Sequence, residues 1–69
     1  MDAKEVMASA MENILVAQMF ERKALDMVYM AMFAGEKLDR KEVEHQLGCA
    51  AAHLSSAMDY IEGDFGPIK

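Results

Sequence analysis

The sequence predicts an all-α protein: a two-helix antiparallel hairpin that dimerises into a four-helix bundle. Three observations carry that expectation. The composition is helix-forming, with eight methionines, many alanines, no threonine and a hydrophobic fraction of 54%, and such residues favour helix over strand. The chain has one strong internal break, AGEKLDRKEV at 34–43. On both sides of it apolar residues recur at alternating spacings of four and three, the period of a helix buried along one face.

Helix 1 is expected over about 3–34. Gly35 suits the left-handed position that ends a helix, and Asp39 suits the N-cap of the next. Glu42, three residues after Asp39, completes a capping-box pattern. Helix 2 follows over about 40–62, where Gly63, Gly66 and Pro67 are expected to stop it. Residues 63–69 form a tail whose Phe65 and Ile68 are placed to fold back near Val6 and Met7. The whole of 1–69 reads as one domain, with no repeat, linker or low-complexity tract.

Helix 2 carries a clean seam of Val43, Leu47, Ala50, Leu54, Ala57 and Ile61, expected to pack on helix 1. Its alanines let a neighbouring helix come close. Helix 1 is apolar on more than one side. One seam runs Met7, Met11, Ile14, Gln18, Glu21, Leu25, Val28 and Met32, and another face holds Val16, Phe20, Ala24, Met27 and Ala31. A single partner helix covers only one of these. Small chains without disulfides need some other source of stability, and Cys49 is alone. The surplus apolar surface therefore points to a second copy of the chain, with Ile14, Gln18, Phe20, Glu21 and Leu25 at the oligomer interface.

Net charge is −5 with a pI near 4.8. Such a chain is repelled by a phosphate backbone and by an anionic membrane surface. Glu21, Arg22, Lys23 and Asp26 interrupt the longest apolar run, so no span of ~20 apolar residues fits. Asp2 and Glu5 stand where a secretory leader carries only positive charge. A cytoplasmic setting is expected, in keeping with the lone cysteine.

Helix 2 has a second, polar row: Glu42, Gln46, Cys49, His53, Ser56 and Tyr60. A hairpin turning near residue 37 brings Glu21 level with His53 and Gln18 level with Ser56, giving a polar layer that fixes register as polar seam residues do in coiled coils. Glu21, His53 and Cys49 are also the only candidate metal set of note. His45 and His53 lie ~12 Å apart along the axis and cannot share an ion. Glu42 and His45 match the Glu-x-x-His spacing of di-iron bundles, but the upstream Glu12 lies at the far end of a simple hairpin. Cys49 with His53 one turn later could form a nucleophile–base pair, but no cation beyond a histidine lowers the thiol's pKa. No phosphate loop, Ser-His-Asp order or paired-cysteine motif is present. The expectation is a protein without enzymatic activity, cofactor or resident metal.

Its expected work is binding. The polar row (Glu42, Gln46, His53, Tyr60) and the adaptable apolar residues Met27, Met30 and Phe33 are the candidate contacts for another protein. An acidic chain of this size fits a small inhibitor or adaptor of the kind phages and mobile elements encode. The alternative is a sponge-like bundle holding a small molecule or metal at the oligomer interface through Glu21, His53 and Tyr60.

Overall fold

A computed structural model describes the chain over residues 2–65. Two helices make up the fold, α1 (Ala3–Phe33) and α2 (Arg40–Phe65), packed antiparallel along their length. Asp2 caps α1: its carboxylate accepts from the Glu5 amide at 2.8 Å, using one of the orphan donors of the first turn. At the other end Gly35 adopts φ 71°, a left-handed conformation that side chains with a Cβ resist. The chain turns there, and the Glu36 amide donates back to the Met30 carbonyl at 3.3 Å.

Asp39 caps α2, accepting from the Glu42 amide at 3.2 Å. Only half of the expected capping box forms. The Glu42 side chain turns away from the cap and accepts from Gln46 Nε2 at 2.7 Å. The C-terminal boundary also moves, because α2 runs through Gly63 to Phe65 instead of stopping near 62. A helical glycine costs only about 1 kcal/mol, which neighbouring turns absorb. The fold-back expected of Phe65 and Ile68 lies outside the described side chains.

The contact between the helices is made of small residues. Val6, Ala10, Ala17 and Ala24 of α1 and Ala50 and Ala57 of α2 form the buried apolar core. The α1 alanines stand seven residues apart, with half-buried Ala31 continuing the line. This corrects the expected pairing. The α1 face turned towards α2 is the one carrying Ala24, Ala31, Phe20 and Met27, and the seam containing Gln18 and Glu21 lies beside the contact. Small side chains let two helix backbones approach closely, while longer ones flank the contact. The α2 seam divides in the same way: Ala50 and Ala57 are buried, whereas Leu47 and Leu54 are 49% and 41% exposed.

The result is a rod. Its extents are 49 × 18 × 17 Å and its radius of gyration is 15.4 Å, against about 11 Å for a compact domain of this length.

Candidate functional site

Helical spacing and the closest contacts divide the hairpin's long sides into two. On the first, the α2 polar row runs beside Asn13 and Phe20 of α1. His53 Nδ1 donates to Asn13 Oδ1 at 3.0 Å, and the imidazole stacks on Phe20, with ring centroids 5.8 Å apart and planes inclined by 15°. Asn13 is fixed in turn, because its Nδ2 donates to the Ser9 carbonyl at 3.0 Å. That leaves Oδ1 as the acceptor and puts the imidazole proton on Nδ1.

The expected Glu21–His53 layer is thus replaced by Asn13–His53. His53 lies between Asn13 and Phe20, and Val28 shares a groove with Val43, so residue numbers at one level sum to about 70 rather than 74. Glu21 lies on the other long side altogether. Asn13 was legible as a polar residue at heptad spacing among Ala10 and Ala17, the position where asparagine sets register in coiled coils.

Further along this side, Gln46 is 8% exposed. Its Nε2 is committed to Glu42, which prevents the amide from turning its oxygen towards that carboxylate. Oε1 is buried without a donor, a costly arrangement for a polar atom. Cys49 is half-buried, and its Sγ lies 3.7 Å from His45 Nε2. The thiol is therefore paired one turn back, while the His53 ring is held by Asn13, so the expected Cys49–His53 pair does not form. Tyr60 is 38% exposed and Met30 39%, and Met27 is half-buried. Phe33 is separate from this row: it packs against Tyr29 at a centroid distance of 4.8 Å and is 69% exposed.

The second side is apolar. Gln18, Glu21, Arg22, Ala24, Leu25 and Val28 of α1 and Val43 and Leu47 of α2 line an open groove of about 600 Å³. Ile14, at the same helical spacing, is 38% exposed, and Leu25 is 62% exposed. Four of the five residues expected at an oligomer interface therefore share this side. Phe20 is the exception, occupied by His53.

Glu21 and the Cys49–His53 stretch lie on opposite sides of the hairpin, so they cannot act together within one chain. Among the described residues, no group of three or more His, Cys, Asp or Glu is placed to hold a metal ion. Among the same residues, no helix is long and apolar enough to cross a membrane. No known protein family, curated protein or solved structure matches the chain.

Proposed function

We propose that the chain is a small non-enzymatic protein-binding module. Two hairpins associate through the apolar side into a four-helix bundle, and the opposite side docks on another protein and modulates it. One observation carries this reading: the inside of the hairpin is alanine and the outside is large. Among the described residues Val6 is the only sizeable side chain fully buried, while Met11, Leu25, Leu47 and Leu54 are 57%, 62%, 49% and 41% exposed. The chain exposes 5361 Å², roughly 1,000 Å² more than the about 4,300 Å² expected of a folded monomer of its mass. On the second side this extra surface includes the large apolar residues Ile14, Leu25 and Leu47.

The docking side is supported by the buried Gln46 Oε1, which lacks a donor, and by the polar row around it. A net charge of −5 favours a partner with a basic surface through long-range attraction. Native mass spectrometry on protein purified gently, without chelator, tests the reading. An even-numbered assembly carrying a second protein is the expected result. A small molecule or metal bound to the assembly would replace this reading with that of a ligand-binding bundle. A bare monomer would remove the assembly itself.

A further inference from the structure

We infer that the second copy lies antiparallel on the apolar side, α1 against α1 and α2 against α2, with the two turns at opposite ends. This rests on the assembly proposed above and gives it a geometry.

A two-fold interface brings residue i of one copy to residue j of the other, and j to i. Two antiparallel copies of one helix therefore pair positions placed symmetrically about the axis. The exposed α1 stripe is chemically symmetric about the midpoint of Gln18 and Glu21. Ile14 pairs with Leu25, Met11 with Val28, and Met7 with Met32. At the centre the two polar residues meet reciprocally, so that the Gln18 amide of each copy donates to the Glu21 carboxylate of the other. This gives both polar groups a partner inside an otherwise apolar contact.

The α2 stripe has the same property about the midpoint of Ala50 and Ala51. Leu47 pairs with Leu54, and Val43 with Met58. Ala51, exposed beside the buried Ala50, is small enough to let the α2 copies approach where they cross.

The hairpin register joins the two symmetries. A single two-fold axis must cross both helices at one level. His53 lies between Asn13 and Phe20, and Val28 lines a groove with Val43, which brings the midpoint of Gln18 and Glu21 level with that of Ala50 and Ala51. The competing arrangement, α1 of one copy over α2 of the other, would set Glu21 against Leu47 and Ala51, which offer its carboxylate no donor from across the interface. The side is about 49 by 18 Å, roughly 900 Å² in outline and sufficient for a standard interface of ~800 Å² per partner.

Disulfide trapping in a Cys49→Ser background tests the geometry. Chains carrying Ile14→Cys are mixed with chains carrying Leu25→Cys under mild oxidation, and products are weighed without reductant. Covalent dimers containing one chain of each kind are expected. Neither variant should link to itself, because like positions lie about 16 Å apart along the axis, beyond the reach of a disulfide. A Leu47→Cys chain serves as the rival, and preferential bonding to Leu25→Cys would overturn the antiparallel arrangement while leaving the dimer intact. A dimer by sedimentation that yields no Ile14–Leu25 bond would overturn it too. A monomer by sedimentation at every concentration would remove both this geometry and the assembly on which it rests.

Discussion

His53 reaches across the hairpin to Asn13 at 3.0 Å, the one side-chain hydrogen bond between the helices among the described residues. Stacking on Phe20 holds the imidazole in line for it. A neutral hydrogen bond of this kind contributes about 1 kcal/mol. In a double-mutant cycle of Asn13→Ala and His53→Ala, the coupling energy should fall near 1 kcal/mol by urea unfolding. Additive losses would mean that the two residues act independently.

The alanine contact leaves no room for larger side chains. Ala17 is fully buried, so Ala17→Leu should destabilise by about 1–3 kcal/mol through overpacking. Ala52 is exposed, and Ala52→Leu should change stability by less than about 0.5 kcal/mol. Thermal melts of the two variants at equal concentration make the comparison.

Gln46 holds an oxygen away from water with no donor. Gln46→Met keeps the volume and removes the orphan, and should raise the stability of the isolated protein by about 1 kcal/mol. If the partner supplies the donor, the same variant binds more weakly. Measured stability and measured affinity then move in opposite directions, which a purely structural glutamine would not produce.

Two glycines should respond with opposite signs. Gly35 has φ 71°, and Gly35→Ala should cost about 1–2 kcal/mol in conformational strain. Gly48 sits in the middle of α2 with open space where a Cβ would go. Gly48→Ala should stabilise the helix by about 1 kcal/mol, as read by helicity and melting temperature.

Dilution tests the source of stability. If a second copy covers the apolar side, the melting temperature should fall as protein concentration falls. A melt independent of concentration would assign the stability to the hairpin alone.

The helices and the turn were legible because their signals are local. Gly35 and Asp39 act within one turn of backbone, and four-and-three spacing reports a helix whatever it packs against. The pairing of faces was not legible in the same way. Helix 1 offers several apolar stripes, and periodicity ranks them by hydrophobicity, whereas close helix contact selects small size. Met7, Leu25 and Met32 look more like a core than Ala10, Ala17 and Ala24, yet the alanines occupy the contact. The polar row of α2 was visible in the sequence, but its counterpart on α1 followed from the wrong face. Glu21 was selected where Asn13 makes the bond. The orphaned oxygen of Gln46 depends on the committed direction of one amide, which no spacing encodes.

Because the alanines recur every seventh residue, the interior of the hairpin is nearly degenerate under a shift of two helical turns. Ala10, Ala17 and Ala24 are interchangeable opposite Ala50 and Ala57, and alanine has no rotamers with which to tell one registration from the next. What prevents α2 from slipping along α1 is the short connection from Ala34 to Asp39, assisted by the Asn13–His53 bond. A seven-residue insertion in that connection would free the helices to choose again. The hairpin is thus a sliding joint locked at one end by its own loop.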